Sequence, residues 1–473
     1  MEYEIVIGLE IHCELDTKSK IFCGCSTKFG SAVNTQTCPV CLGLPGVLPV
    51  LNKKVVQYAT IAGLAMNCEI AEFSKMDRKN YFYPDSPKAY QVSQFDLPIC
   101  KEGKVSIQGE GFNKDIGITR IHIEEDAGKL IHDAGHGTLA DNNRCGVPLI
   151  EIVTEPDMRS AEEARVFAEK VKTTLEYTQV SDCKMQEGSL RFDVNLSIRP
   201  KGSSEYGTRT EMKNLNSFRS LERSIHSETK RQIKEIEKGN RIIQETRKWD
   251  DDKGISFSLR SKEEAHDYRY FPEPDLVPIV LEDKYIQQLK DSIPELPWVR
   301  VQRYMEQWNL TQTDAQTLTA TKQMSDFFEK TVEYCDDPKT SSNWIIGELS
   351  ALLNESDADI NDVKFSPQDL GKMIKLINEK TISGSVGKTV IKAMFETGDK
   401  PDQIIKEKGL SQMNDEGAIK DIVLKVMADN PQSVEDLKNG KEKAIGFLVG
   451  QVMKASKGKA NPQSVNQIIK ENL

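Results

Sequence analysis

Four cysteines fall within 19 residues: Cys23-Gly-Cys25 and Cys38-Pro-Val-Cys41, with twelve residues between the pairs. Short C-x-C and C-x-x-C knuckles let two thiolates reach one ion, and two knuckles complete a tetrahedron. The spacing predicts a structural zinc (Zn²⁺) held by Cys23, Cys25, Cys38 and Cys41. Four sulfurs close the coordination shell, so such an ion staples a loop and meets no substrate. Unliganded thiols are the alternative, and the density of cysteines weighs against it.

A second set of residues lies on alternating segments. Residues 3–14 place Tyr3, Ile5, Ile7, Leu9 and Ile11 on one parity and Glu4, Glu10, His12 and Glu14 on the other. A strand of that pattern shows Glu10 and His12 on one face. Residues 118–126 put Arg120, His122, Glu124 and Asp126 on one parity and Glu125 on the other. Residues 149–155 place Glu151 and Glu155 together. Residues 189–199 alternate Leu190, Phe192, Val194, Leu196 and Ile198 with Arg191, Asp193, Asn195, Ser197 and Arg199. Residues 207–215 add Arg209, Glu211 and Lys213. One such strand is the wet side of a sheet. Four or five stacked together make a floor of acids and bases suited to Mg²⁺ and phosphates.

Between these strands, Asp77 to Phe95 packs Arg78, Lys79 and Lys88 among Tyr81, Phe82, Tyr83 and Tyr90. Pro84 and Pro87 fix φ and favour extended or turn backbone, so no regular helix crosses here. Cations and rings on a stiff loop suit phosphates and stacked bases.

The remaining elements frame these groups. Val55–Met66 reads as a helix. Ser160 starts another, with Glu163 three residues on as a capping box and Phe167, Val171 and Leu175 as its apolar stripe. A long amphipathic helix runs from about Ser217 to Lys238, with Phe218, Leu221, Ile225, Ile233 and Ile236 inward and Gly239 as stop. Residues 246–254 read as a loop or hairpin turn. Ser292-Ile-Pro-Glu-Leu-Pro marks a boundary, and beyond about Val299 the pattern is helical. In residues 437–459 six lysines face only Glu442. Gly384-Ser-Val-Gly-Lys-Thr389 imitates a phosphate-binding loop, but position 382 is Ile, not Gly, and no apolar strand leads in. It reads as a turn connecting helices. Three domains are expected: residues 1–292, an α/β domain on a mostly antiparallel sheet; 293–400, all helical; and 401–473, a small helical tail.

Composition sets limits. A chain of 473 residues exceeds one ordinary core. No stretch approaches the roughly 18 apolar residues of a membrane helix, and Met-Glu-Tyr-Glu-Ile-Val has no basic n-region. A net charge of −10 argues against indiscriminate coating of nucleic acid but permits a local basic patch. Ten cysteines without a secretory signal suggest reduced thiols or metal ligands, in a cytoplasmic protein.

The longer strings carry a resemblance. Asp77-Arg-Lys-Asn-Tyr-Phe-Tyr-Pro-Asp-x-Pro-Lys-x-Tyr-Gln resembles the signature of the B subunits of bacterial tRNA-dependent amidotransferases. Gly8-Leu-Glu-Ile-His, Gly117-Ile-Thr-Arg-Ile-His-Ile-Glu-Glu-Asp-Ala-Gly-Lys, Pro148-Leu-Ile-Glu-Ile-Val-Thr-Glu-Pro-Asp and Asp267-Tyr-Arg-Tyr-Phe-Pro-Glu-Pro-Asp are similar to that family too, in its order. The resemblance implies a cradle-like sheet similar to glutamine synthetase and guanidino kinases. It implies that ATP phosphorylates the side-chain carboxylate of Glu or Asp esterified to tRNA, as Glu-tRNA(Gln) or Asp-tRNA(Asn), and that ammonia then displaces phosphate. No amidase-type signature of paired serines with a lysine stands out, so ammonia would come from a separate amidase A subunit, joined through a small C subunit in a heterotrimer. The tail would hold the tRNA body.

Together with strand parity, this predicts Glu10, His12, Glu125, Glu151, Asp193, Lys79, Arg78 and Lys88 in the chemistry. Tyr81, Tyr83, Asp85, Tyr90, Gln91, Arg120, Asn195, Glu211 and Lys213 would hold substrates. The expected magnesium ligands are Glu10, His12, Glu151 and one of Glu124 and Glu125, with Glu125 preferred because the acidic run ends its strand. Two rival readings are a zinc-bearing tRNA scaffold without catalysis, which leaves the acidic face unexplained, and an archaeal-type E subunit, whose inserted synthetase-like domain has no room here.

Overall fold

The computed structural model describes all residues except Met1, 134, 136, 262–264, 411–415, 439–440, 442, 457–459 and 461. The chain divides between Leu296 and Pro297 into two units.

The first unit is built on a mixed sheet of nine strands. In chain order its strands are β1 (Tyr3–Glu14), β2 (Glu69–Ile70), β6 (Cys100–Gly109), β7 (Phe112–Glu125), β10 (Pro148–Thr154), β11 (Leu190–Pro200), β12 (Thr210–Leu215), β13 (Glu245–Asp250) and β14 (Ile255–Ser261). Smaller pairings use β3 (Phe73–Ser74), β4 (Asp77–Asn80), β5 (Tyr90–Ser93), β8 (Lys129–Asp133), β9 (Gly137–Asp141), β15 (Phe271–Pro272) and β16 (Ile279–Val280). The sheet order is β14-β13-β12-β11-β1-β10-β7-β6-β2, and every neighbouring pair is antiparallel except β12 with β13.

Strand alternation gives the sheet two unlike faces. Ile7, Leu9, Ile11, Ile121, Ile123, Ile150, Ile152, Phe192, Val194 and Leu196 are buried in one core with helices α1 (Lys53–Ala65), α2 (Ala161–Tyr177) and α3 (Phe218–Glu237). Asn52, Ser160 and Ser217 cap these helices, each accepting a backbone N–H. Gly239, at φ +82°, ends α3. The opposite face carries the charged residues. β7 changes parity on the way: Ile116 and Ile118 face the core, then Ile121 and Ile123. Its register against β10 shifts by one residue at Val153/Thr154. Beyond this irregularity Glu155 Oε1 accepts from the Thr119 hydroxyl at 2.6 Å.

Three local expectations are corrected. Residues 246–250 lie in β13, because Trp249 is fully buried and anchors a strand; the turn is Asp251–Gly254. Glu163 does not close a capping box: it accepts from Arg159 N at 2.7 Å and pairs with Lys114. Gly384–Thr389 is no turn but the start of a helix, Gly384–Thr397, capped by Ser383. A Cβ on Gly387 would sit 2.8 Å from Ile377 and Trp344, so that glycine serves helix packing.

The second unit is helical, and among its described residues there is no strand. It holds two apolar cores. One gathers residues from Tyr304 to Ile405, including Phe328, Leu349, Met373 and Ile391. The other gathers residues from Ile419 to Ile469, including Val423, Leu448 and Val465.

Candidate functional site

The chemical face of the sheet is organised in rows. His12 on β1 pairs across with Glu151 on β10, and Glu151 pairs across with His122 on β7. One row therefore reads His12, Glu151, His122, and Glu124 stands two residues beyond His122. His12 Nε2 lies 3.3 Å from Glu151 Oε2 and 3.8 Å from Glu124 Oε1. His122 Nε2 lies 3.5 Å from Glu151 Oε2 and 3.6 Å from Glu124 Oε2. The Ser93 hydroxyl donates to Glu124 Oε2 at 3.2 Å.

The electrostatics of this group suit a cation. Burial alone would lower the His12 imidazole, but hydrogen bonding to Glu151 and its charge, with Asp193 and Glu124 behind, raise it to about 9. Burial opposes ionisation of Glu151 as well, yet His122, His12 and Lys79 hold it well below the usual carboxylate range. Lys79 is held above its ordinary value against burial by Glu124, Tyr270, Glu151 and Tyr268, and its ammonium stands 4.9 Å from the centre of the Tyr268 ring. The ligand atoms of His12, Glu124 and Glu151 all lie within 4.8 Å of one another. Two carboxylates and an imidazole, negative enough to protonate that imidazole, fit a divalent cation.

The next row holds a second group. Glu10 lies opposite Asp193, and Asn195 opposite Glu211. Glu10, Asp193 and Glu211 also bring ligand atoms within 4.8 Å. Here the charge is already answered: Lys213 donates to Asp193 at 2.7 Å and lies 3.3 Å from Glu211. Asn195 donates to Glu10 at 2.8 Å, and the Thr246 hydroxyl donates to Glu211 at 2.7 Å.

The geometry sets the expected magnesium ligands in three places, with His12, Glu124 and Glu151 together. Glu10 belongs to the second row. Glu124, not Glu125, joins His12 and Glu151, because the end of β7 remains regular. Glu125 points to the other side, where it pairs with Lys88 and accepts Val92 N at 2.9 Å. Arg78, expected in the chemistry, holds a different acid. It grips buried Glu273 with two bonds of 2.6 and 2.7 Å, reaches Asp275 at 3.4 Å and covers the Tyr90 ring at 4.4 Å. It is a strut between β4 and the segment after β15, and those two strands pair with each other. Arg120 sits beside His122, its Nε 3.4 Å from Nδ1.

A cleft of ≈ 980 Å³ opens at Lys79 and Lys213, the lysines that answer the two rows, and is lined by them with Tyr81, Tyr83, Asp85, Gln91, Thr246 and Tyr268 among others. Tyr81 meets Tyr268 edge-on, and Tyr270 stacks on Phe95 at 4.3 Å. Gln91 donates to the Glu125 carbonyl at 2.7 Å, and Asp85 accepts Gly128 N through its carbonyl at 2.8 Å. His122, Tyr268, Tyr270 and Thr246 join the site without having been expected there. The parity of His122 with Glu124 is a usable signal in the sequence. The others come close only through strand pairing.

The cysteines converge as their spacing predicts: Cys23, Cys25, Cys38 and Cys41 bring their sulfurs within 4.8 Å. Cys38 N donates to Cys41 Sγ at 3.2 Å, and buried Lys20 donates to the same sulfur at 3.6 Å. Asn34 and Gln36, inside the loop, bond to residues 140–143. Gly43, at φ +66°, approaches Lys88 so closely that a Cβ would lie 2.4 Å from its Cγ. The sulfur loop thus packs on the lysine that holds Glu125.

Comparison with known proteins places this architecture. Residues 5–287 match the GatB/GatE catalytic domain, and residues 326–473 match the GatB domain. The chain belongs to the GatB family. It is 60% identical to the B subunit of the aspartyl/glutamyl-tRNA(Asn/Gln) amidotransferase of Caldicellulosiruptor bescii, over all of this chain and 99% of that one. It is 60% identical to the protein of the same name from Thermoanaerobacter sp., over the full length of both, and 55% identical to that of Clostridium tetani, over 100% and 99%. No helix among the described residues is long and apolar enough to cross a membrane.

Proposed function

We propose that this chain is the B subunit of a tRNA-dependent amidotransferase, working in the cytoplasm, that phosphorylates the side-chain carboxylate of Glu-tRNA(Gln), Asp-tRNA(Asn) or both. The observation that carries the reading is the row of His12, Glu151 and His122 with Glu124, set on rigid strands, beside Lys79, which lines the open cleft. Phosphoryl transfer asks chiefly for positioning and charge neutralisation. His12, Glu124 and Glu151 would hold Mg²⁺, which when bound screens the charge of ATP phosphates. Lys79, kept protonated by the same carboxylates, neutralises a developing charge from the cleft side. The side-chain carboxylate of the substrate is already ionised, so no general base is needed. Tyr81 and Tyr268 offer rings for an unstacked acceptor end. Glu10, Asp193, Glu211 and Lys213 order the adjoining row.

The resemblance to a glutamine synthetase cradle fits this division of a sheet into one apolar and one chemical face. Ammonia then displaces phosphate, delivered by an amidase A subunit with a small C subunit completing the heterotrimer. Residues 1–292 would form the catalytic domain, 293–400 a helical domain, and 401–473 a tail on the tRNA body. Zn²⁺ at the four cysteines would fix the loop behind Lys88. The family match over both parts of the chain favours this over a non-catalytic scaffold or an E subunit. The test is ATP hydrolysis, and phosphate transfer to the aminoacyl group, in the reconstituted complex. Stimulation by mischarged but not by uncharged tRNA supports it; ATP hydrolysis indifferent to the aminoacyl group overturns it.

A further inference from the structure

Lys20 is 1% exposed, and a lysine is buried so fully only where its charge is answered. Among the described residues it makes no ion pair with a carboxylate. Its ammonium donates instead to Cys41 Sγ at 3.6 Å and to the Asn142 carbonyl at 3.4 Å. Glu125 lines the same cavity of ≈ 130 Å³, but its charge is met by Lys88. The sulfurs are the remaining source of negative charge.

The backbone of the same residue holds the other cysteine knuckle. Lys20 N donates to the Cys25 carbonyl at 2.9 Å, and Ser19 bridges to Ser26 beside it. The Lys20 carbonyl accepts from Asn52 Nδ2 at 3.3 Å, where Asn52 caps α1. Asn142, which takes the ammonium on its carbonyl, donates its own N–H to Asn34 Oδ1 at 2.7 Å, at the middle of the sulfur loop. One residue thus joins the first knuckle through its main chain, and the second knuckle and the loop's anchor through its side chain.

A divalent ion with four thiolates carries a net charge of −2. In a buried loop that charge is costly unless a cation faces it. A buried ammonium without an acid and a cluster with excess negative charge answer one another.

We propose that Lys20 is a positioning residue for the ion at the four cysteines: its ammonium balances part of the charge of the thiolate cluster and, through Cys41, sets how tightly the ion is held. The proposal rests on the zinc assigned above to Cys23, Cys25, Cys38 and Cys41.

The test uses the purified complex with Lys20→Met, which removes the charge and keeps the length, and Lys20→Arg, which keeps the charge. Lys20→Gln, also neutral, stands in where Lys20→Met does not fold. The zinc Kd is measured by competition with a chelator, the melting temperature with zinc and after its removal, and the absorption spectrum with Co²⁺ in place of zinc. The neutral variant should weaken zinc binding about tenfold, and Lys20→Arg by no more than about threefold. Its melting temperature should fall when zinc is bound and rise when zinc is stripped, because a lone buried ammonium has then been removed. Loss of the N–H···S bond raises the energy of the sulfur lone pairs, so the sulfur-to-cobalt charge-transfer band should move to longer wavelength. An unchanged zinc Kd with an unshifted cobalt band overturns the proposal and leaves the zinc assignment standing. A fall in melting temperature that is equal with and without zinc overturns it too, since Lys20 is then packing alone. A parent complex that takes up no zinc overturns the zinc assignment and the proposal together.

Discussion

Among the described residues three groups gather metal-ligating atoms within 4.8 Å, and two of them make a contrast: the four cysteines, and His12 with Glu124 and Glu151. They differ in how they are built. The cysteines come from one loop of 19 residues, turned by two knuckles and pinned at its middle to residues 140–143. The histidine and glutamates come from three adjacent strands, and the sheet alone brings them together. A loop of four soft ligands closes on its ion and leaves nothing for a substrate. A mixed set of two carboxylates and an imidazole on rigid strands would leave positions free for phosphate oxygens. On the function proposed above, the first group would be a support and the second a workplace, and each can be broken without the other.

The largest effect is expected at Glu124. Glu124→Gln should lower tRNA-dependent phosphorylation by about three orders of magnitude, through loss of a metal ligand. The melting temperature should stay near that of the parent. Glu125→Gln should cost only about tenfold, because Glu125 orders Lys88 and β5 at one remove. Comparing kcat for the two variants decides the matter: a heavier loss at Glu125 would return the metal to that side of the strand.

Next in size is Arg78→Ala. It leaves Glu273, whose side chain is 1% exposed, as a buried carboxylate without its guanidinium. Removing one partner of such a pair costs about 3 kcal/mol. Arg78→Lys should recover only part, since lysine cannot make both bonds. Denaturant unfolding of the complex measures this, and a neutral Arg78→Ala would mean the residue serves the substrate after all. Cys41→Ser should follow, with a loss of about 2 kcal/mol in the first unit and zinc falling from about one per chain to a small fraction. Elemental analysis checks the metal. If the parent protein, purified without chelator, carries none, the support is the loop's own hydrogen bonding.

How far the sequence can be read follows from the same contrast. The cysteine group is legible because its geometry is local. The two faces of the sheet are legible because alternation is local too: β1, β11 and β12 present the expected residues. Which acids meet is not legible, because register between strands separated by more than a hundred residues is set by packing of the whole core. Hence the sequence expects Glu10, His12 and Glu151 as one set, whereas the structure joins His12 to Glu151 and Glu124 and gathers Glu10 with Asp193 and Glu211. The partner of Arg78 is hidden for a related reason: Glu273 lies 195 residues away. Residues 246–250 read as a loop because their charges hide one anchor, Trp249.

The smallest effect is expected in the tail, where charge is spread along a helix rather than gathered. In the helix Lys443–Ala455, Leu448 and Val452 face the core, while Lys443, Gly446, Phe447, Gly450 and Lys454 are exposed. At i, i+3, i+4, i+7 and i+11 these five share one face, with two lysines at its ends and two glycines that would let a phosphate backbone come near. Gly446 and Gly450 have nothing within 4 Å of a would-be Cβ, so that face is open. Lys441 is exposed and bonds to Asp436 at 2.9 Å, which reduces what it can offer. Lys457, Lys459, Gly440 and Gly458, also expected to take part, lie outside the described residues. Two surface ammonium groups that each meet one phosphate supply a modest, salt-sensitive attraction. Lys443→Gln with Lys454→Gln should therefore raise the KM for mischarged tRNA about threefold to tenfold. It should flatten the dependence of log affinity on log salt by about two units of slope, and leave kcat at saturating tRNA unchanged. Deleting residues 401–473 is the cruder probe, since Ile404 and Ile405 belong to the first helical core and their loss would disturb it. The double lysine variant avoids that, and an unchanged KM with an unchanged salt slope would make the face ordinary solvated surface.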